Sequence, residues 1–381
     1  MKKIFKTALS IMAAAIICVM SSCASSPAKA ELEPVVIDKI ETKVGGITLT
    51  TDPSYEVTML LLRLAEYSAA VHPFYGNSDF NIAVDTWFQK FKGHKSVKLI
   101  ENLTKKKNVS KDDFLSLANI MKDDLTGFNQ TPEFIPYTVN GVWAKEDVYA
   151  VLKAMNEFAH DTKFDKFYIL HRADYISMQN GFVNVLEDGT IQKFISEMFL
   201  SGKELNMKIH TSELLAGEAT FYGTGNGDAG YDYIMCYAPY VSKEWYFTVT
   251  RFLSKAVVNP MLQYVDQSKF EKLEEAVNLL RVNNGYEKLK NPDDIKYLVL
   301  EDMVSLNGFV YLRDNDKKED YEYFRNQYKQ LVNEAFPDKV EGLLDNYLSI
   351  EPEDRNFQAF MKSVEMNILL EMYETFAGRV K

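Results

Sequence analysis

Apolar residues recur at helical spacing along most of the chain. The intervals of three and four residues between them put the apolar side chains on one face of each predicted helix. In the first half, this pattern predicts helices within 54–71, 78–94, 96–106, 110–125 and 144–186. In the second half, it predicts helices within 244–258, 268–282, 292–313, 320–336, 339–350 and 356–378. The chain is therefore predicted to be mostly helical.

The pattern changes around residues 206–240, where β-prone segments alternate with glycine-rich turns. Segments 206–215, 217–225 and 231–240 are predicted strands. A Gly-Gly pair flanked by β-branched residues within 37–51 predicts an additional hairpin. Helices, a small sheet and further helices in succession indicate a mostly helical α+β fold.

The N-terminus has the pattern of a bacterial export signal over residues 1–22. Lys2, Lys3 and Lys6 precede an apolar run that is too short to span a bilayer comfortably. The segment "MSSC" resembles a lipobox, whose cysteine, here Cys23, is diacylated and becomes the new N-terminus. A cleaved secretory signal without a lipid is the alternative. Several acyl chains would anchor the protein stably to a membrane.

Beyond the signal, residues 23–44 begin with small, polar and proline-bearing sequence, which predicts a flexible tether. A mainly helical region is predicted over 45–205 and a second domain over 206–381. Ser25, the second residue after the lipidated position, is not the Asp that retains lipoproteins in the inner membrane of enteric-type bacteria. The predicted location is therefore the outer membrane, with the domain facing the periplasm.

The formal net charge of −11 argues against a nucleic-acid partner, because phosphate backbones are bound by clustered Lys and Arg. The cysteine count limits the chemistry further. Of three cysteines, Cys18 lies in the signal and Cys23 carries the predicted lipid, which leaves Cys236 in an apolar, aromatic run. No intramolecular disulfide is then possible, and Cys236 is interpreted as a buried, inert thiol.

Two other patterns suggest chemistry but favour simpler interpretations. Gly225, Gly227 and Gly230 match G-x-G-x-x-G, yet a predicted strand follows them instead of the helix that a dinucleotide site requires. A hairpin loop is the preferred interpretation. No two of the five histidines have the i, i+4 spacing of a helical zinc motif, so each is interpreted as a surface or capping residue. The five are His72, His94, His160, His171 and His210. The eleven-residue gap between His160 and His171 predicts that these two lie near one another on a helical face, which a solvated face also explains.

The stretch "RFLSKAVVNP" at 251–260 combines helical spacing with an Asn-Pro end. It resembles the helix of a family of exported bacterial proteins, a domain of unknown function whose members carry a gluzincin-type sequence His-Glu-Phe-Ser-His-x-Phe-Val-Asn-Pro. Ser254, Val258, Asn259 and Pro260 agree with that sequence. The resemblance covers most of the mature chain, in the same order, through "LLLRLAEY", "VDTWFQKFKGHKSVKL", "LVLEDMVSLNGFVYL" and "YLSIEPEDRNFQAFM".

The resemblance implies a zincin-like helix pair after the small sheet, with zinc held by two imidazoles and a downstream Glu. In this chain Arg251 and Lys255 stand in place of the two histidines, and Phe252 in place of the general-base Glu. Only Glu301 remains as a candidate ligand. The resemblance therefore implies a degenerate metal site with no metal, no cofactor and no catalytic residue.

Two interpretations of the degenerate helix remain open. Arg251 and Lys255 are one turn apart on the same helix face, so they can form an ion pair with Glu301 that replaces the metal. Alternatively, the helix is an ordinary amphipathic one with solvated cations. The function expected from the resemblance is that of a pseudoenzyme, a membrane-anchored lipoprotein that binds a protein, peptide or glycan. A hydrolase that acts through another site is the alternative.

Overall fold

The computed structural model describes residues 32–66, 79–107, 109–129, 143–212, 214, 231–233, 245–289, 292–315 and 318–379. Within these residues the fold is α+β and mostly helical, as predicted. The export signal, Cys23, Cys236 and the glycine-rich segment at 225–230 lie outside the described residues. The predictions made for them therefore stay predictions.

A four-stranded sheet joins the two halves of the chain. Strands β1 (Ile40–Val44) and β2 (Ile47–Thr51) form the predicted antiparallel hairpin. Strands β3 (Met207–His210) and β4 (Tyr231–Tyr233) extend the sheet, with β3 parallel to β2 and β4 parallel to β3. The order across the sheet is β1-β2-β3-β4. The turn favours glycine at both hairpin positions. Gly45 has a φ of +57°, and a Cβ on Gly46 would lie 1.9 Å from the carbonyl oxygen of Leu205.

The N-terminal boundary of the fold differs from the prediction. The tether predicted over 23–44 is wrong at its end, because β1 occupies residues 40–44 and Val35 is buried against the first helical core. The backbone N–H of Val35 also donates to the carbonyl of Asp124 at 3.0 Å. The predicted boundary at residue 205 stays a prediction, but hydrogen bonds between β2 and β3 cross it.

The helices of the first half surround one apolar core, to which Ile40 of the hairpin also contributes. The continuous apolar pattern over 144–186 covers three separate helices. Lys163 ends the first of them because its φ of 56° is left-handed. The helices are α1 (Pro53–Leu64), α2 (Asp79–Phe88), α3 (Lys95–Lys107), α4 (Lys111–Asn119), α5 (Lys145–Thr162), α6 (Phe164–Leu170) and α7 (Arg172–Leu186), with a 3-10 turn at Gln89–Phe91.

A second and larger core lies beneath the remaining helices and the other side of the hairpin, where Ile47 and Leu49 are fully buried. The end of α7 also packs into it. The helices are α8 (Thr190–Phe199), α9 (Trp245–Val258), α10 (Gln267–Asn283), α11 (Pro292–Asp314), α12 (Lys318–Leu331), α13 (Phe336–Leu348), α14 (Phe357–Phe360) and α15 (Met366–Arg379). Two 3-10 turns at Asn259–Tyr264 and Pro352–Asp354 and a π-helical turn at Met361–Glu365 complete this half.

Candidate functional site

Helices α9 and α11 pack against each other and carry the positions that the sequence singled out. Gly308 on α11 permits their close approach. A Cβ at this position would lie 2.8 Å from Cε2 of Phe247 and 3.3 Å from Cγ of Arg251, both on α9. Because no larger residue fits without a shift of those atoms, Gly308 sets the distance between the two helices.

Arg251, Lys255 and Glu301 form an ion triad between these helices. Nη2 of Arg251 donates to Oε2 of Glu301 at 2.8 Å, and Nζ of Lys255 donates to Oε1. The side chains of Arg251, Lys255 and Glu301 are 30%, 14% and 18% exposed. The predicted ion pair is thus present, and both cations take part in it. The carboxylate of Glu301 binds one cation with each oxygen, which links α9 to α11.

Aromatic rings hold the two cations from other directions. The guanidinium carbon of Arg251 lies 5.3 Å from the centre of the Phe247 ring, and Nζ of Lys255 lies 5.7 Å from that of Tyr297. A cation over a ring face is attracted by the electrons of the ring. Nε of Arg251 is buried and has no hydrogen-bond partner among the described residues. The triad is therefore a fixed, half-buried arrangement.

The other residues of 251–260 that the sequence identified lie in the core or at the end of α9. Phe252 is 7% exposed and packs in the larger core. Ser254 is fully buried on the same helix, and its hydroxyl has no hydrogen-bond partner in the described part of the chain. The α-helix ends at Val258, and the exposed Asn259 and Pro260 begin the 3-10 turn that follows. The Asn-Pro pair thus ends the α-helix as predicted.

A second carboxyl group lies beside the triad. The hydroxyl of Tyr373 on α15 donates to Oδ2 of Asp302 at 2.6 Å. Burial raises the pKa of Asp302 to about 6, with a further upward contribution from Glu301, whereas Tyr373 and Arg251 lower it. Burial also raises the pKa of Tyr373. Sequence reasoning missed Asp302, because its partner Tyr373 lies on α15, 71 residues later in the chain.

The side chains at the triad do not fit the zinc that the resemblance implies. Arg251 and Lys255 are cationic, cannot donate a lone pair, and already bind both oxygens of the remaining candidate ligand, Glu301. Phe252 has no proton to exchange. Within the described ranges, no group of three or more His, Cys, Asp or Glu side chains is arranged to hold a metal ion.

Three histidines contact a carboxylate or a carbonyl oxygen. His94 contacts Asp161, His160 contacts the backbone carbonyl of Glu33, and His171 contacts Asp174. The expectation that His160 and His171 share a helical face is wrong, because α5 ends at Thr162, after which the chain turns. His72 lies outside the described residues.

His210 contradicts its interpretation as a surface or capping residue. It is the last residue of β3, is 3% exposed, and its ring lies 4.2 Å from that of Tyr55 on α1. The alternation of side chains along β3 does not predict this burial, because Lys208, which points to the same side of the strand as His210, is only half-buried. Helix α1 covers His210, and that packing is a tertiary feature.

Comparison of the chain with protein-family models, with curated proteins and with solved structures gives no match. The resemblance to the exported family therefore rests on the residues quoted above. Among the described helices, each is too short or too polar to cross a bilayer.

Proposed function

We propose that this protein is a membrane-anchored lipoprotein of the cell envelope and a zincin-like pseudoenzyme that binds a protein or peptide. The Arg251–Glu301–Lys255 triad carries the proposal. It occupies the positions where the resembling family has its zinc ligands, and it fills them with mutually paired charges. Because Glu301 has both oxygens engaged and Phe252 is buried, these side chains support a structural link between helices instead of hydrolysis.

An apolar groove of about 390 Å³ on the first half supports the binding role. Ile82, Ala83 and Trp87 give it apolar surface, and Asp79, Thr86, Lys90 and His171 also line it. The neighbouring Ile169 and Leu170 are 62% and 67% exposed. The indole nitrogen of Trp87 already donates to the carbonyl of Thr162, so the ring presents mainly its apolar surface. Exposed apolar surface of this kind favours a protein or peptide over a glycan.

Metal analysis of the purified protein tests the loss of the zinc site. We expect far less than one zinc per chain, and no peptide hydrolysis. A variant that combines Arg251→His, Phe252→Glu and Lys255→His restores the family's residues beside Glu301, and we expect it to gain zinc affinity. Stoichiometric zinc in the wild-type protein, lost in Glu301→Gln, would overturn the proposal. Hydrolysis that survives Glu301→Gln would favour a hydrolase with another site.

Metabolic labelling with a fatty acid tests the anchor in the native host. We expect label on the wild-type protein and none on Cys23→Ser, because the lipid is attached through that sulfur. The matched control is Cys236→Ser, which should keep its label. A secreted, unlabelled wild-type protein would contradict the lipoprotein assignment and leave the alternative of a simple secretory signal.

A further inference from the structure

A polar pocket of about 410 Å³ lies at one edge of the sheet. It forms where the parallel strands β2 and β3 reach their carboxyl ends and where β1 begins. Asp52 follows β2 directly, His210 ends β3, and Lys39 precedes β1. Side chains that leave parallel strands at this end converge, and ligands of α/β sheets commonly bind there.

The charged residues of the pocket balance each other. Three lysines and three aspartates line it: Lys39, Lys122, Lys208, Asp52, Asp123 and Asp124. The aspartates and Lys122 come from two short segments, one after β2 and one in the turn after α4. An ion of either sign would therefore meet as many repulsive as attractive charges. A ligand that carries both signs, separated by a few bonds, would meet complementary charges at both ends.

Some of these charges are already used inside the protein. Nζ of Lys39 lies 3.4 Å from Asp123 and 3.2 Å from Glu41. Asp124 accepts from the backbone N–H of Thr126. These contacts fix the rim of the pocket, since they hold the turn and the start of β1 in position.

Asp52 and Lys208 have capacity left for a ligand. Asp52 is 6% exposed, and its Oδ1 caps α1 by accepting from the backbone N–H of Ser54 at 2.9 Å. Its Oδ2 has no hydrogen bond to the described part of the chain. Burial raises the pKa of Asp52, followed by the nearby charge of Asp123. Lys208, half-buried on β3, forms no ion pair within the described ranges.

His210 adds an unsatisfied polar group to the same pocket. Neither of its ring nitrogens has a hydrogen-bond partner among the described residues. Burial lowers the pKa of His210 well below its usual value, so the ring is neutral and offers one donor and one acceptor. A buried polar group without a partner destabilises the empty protein, and a ligand or a water that supplies the partner restores that stability.

We propose that this pocket binds a small zwitterion of the free amino acid class. The ligand carboxylate pairs with Lys208 and Lys122, and the ligand ammonium pairs with Asp52. The volume accommodates a single amino acid with accompanying water and falls in the range typical of small-molecule sites. The pocket lies at the carboxyl ends of β2 and β3 and shares no residue with the ion triad, so this inference stands independently of the proposed pseudoenzyme.

Calorimetric titration of the full chain in detergent with each of the twenty amino acids tests this proposal. We expect saturable binding of at least one of them at millimolar concentration or below. Lys208→Gln should weaken that binding by at least about tenfold, since it removes a charge-assisted hydrogen bond. The matched control is Lys43→Gln, an exposed lysine on β1 outside the pocket, which should leave affinity unchanged.

Three outcomes would overturn the proposal. One is the absence of saturable binding for all twenty amino acids. Another is binding of acetate, phosphate or methylamine as tight as that of the best amino acid, which would indicate a site for a single charge. The third is equal affinity in Lys208→Gln and Lys43→Gln. Circular dichroism verifies that each variant is folded, and Lys122→Gln, at an exposed position, replaces Lys208→Gln if the latter is not.

Discussion

Two glutamates beside the larger core, Glu301 and Glu365, have different surroundings. Glu301 lies on α11 itself, is 18% exposed and binds two cations of α9. Glu365, in the π-helical turn, is 1% exposed and accepts a hydrogen bond from Nδ2 of Asn307 on α11 at 2.8 Å. Its other oxygen has no partner within the described part of the chain.

The difference shows how surroundings decide the role of one side chain. With two cations in reach, a carboxylate links helices as an anion. Among the described groups only an amide reaches Glu365. Burial raises its pKa to about 8, so this carboxyl is mostly neutral at pH 7. Glu301, the remaining candidate ligand, can therefore serve a structural role with its two cations, whereas Glu365 adds a pH-dependent contribution to stability.

The largest expected effect concerns Glu365. Its pKa is raised in the folded protein, so the unfolded chain loses the proton first, near its ordinary pKa of 4.5. The free energy of unfolding should fall as pH rises from about 4.5 to about 8. Glu365→Gln removes this dependence, which amounts to on the order of 3 kcal/mol by pH 7. Urea unfolding at pH 5 and pH 7.5 measures it.

The control for that experiment is Glu374→Gln, at an exposed position of α15, which should keep the wild-type pH dependence. Equal pH dependence in Glu365→Gln and the wild-type protein would mean that Glu365 is not neutral in the fold. The contrast with Glu301 would then disappear.

Glu301→Gln should have the next largest effect. It leaves Arg251 and Lys255 facing each other without an anion. We expect the free energy of unfolding to fall by about 2 kcal/mol, less than for a fully buried pair because solvent screens part of the repulsion. Chemical denaturation at constant pH measures this change.

Glu157 offers a matched comparison for Glu301 because it also bridges two lysines, Lys95 at 2.9 Å and Lys153 at 3.8 Å, at a more exposed surface. Glu157→Gln should change the free energy of unfolding by less than about 0.5 kcal/mol. A similar loss in both variants would contradict the view that burial makes the triad of Glu301 matter.

Gly308→Ala tests the close approach that brings the triad together. An added Cβ would displace Phe247 and Arg251, and we expect a net loss of about 1 kcal/mol despite the better helix propensity of Ala. Gly342→Ala on α13, where no atom lies within 4 Å of the new Cβ, should instead stabilise the protein by about 0.5–1 kcal/mol. Thermal unfolding separates the two, and equal shifts would mean that the helices tolerate a wider spacing.

The smallest effect is expected when all three charges are removed together. The variant Arg251→Met, Lys255→Met, Glu301→Leu leaves no unpaired charge, so its free energy of unfolding should stay within about 1 kcal/mol of the wild-type value. Denaturant unfolding beside Glu301→Gln is the direct comparison. A loss larger than that of Glu301→Gln would mean that the triad contributes net stability to the fold.

Local patterns account for what could be predicted about the fold. The helical spacing around α9 and α11, the Gly-Gly hairpin and the end of α9 before Asn259 all depend on neighbours in sequence, and each is present. The burial of Val35 could not be predicted, because it depends on helices far along the chain. The separation of His160 from His171 was missed because it depends on one left-handed residue, Lys163.

At the candidate sites, too, some features follow from the sequence and others only from the tertiary structure. The sequence by itself determined that Arg251, Phe252 and Lys255 cannot bind zinc, because the chemistry of a side chain does not depend on its fold. Helical periodicity also put the two cations on one face. Only the tertiary structure decided that both bind Glu301, that Asp302 is half-buried against Tyr373, and that His210 lies in a pocket with Asp52 and Lys208. Those outcomes depend on desolvation and on distances between segments that are remote in sequence.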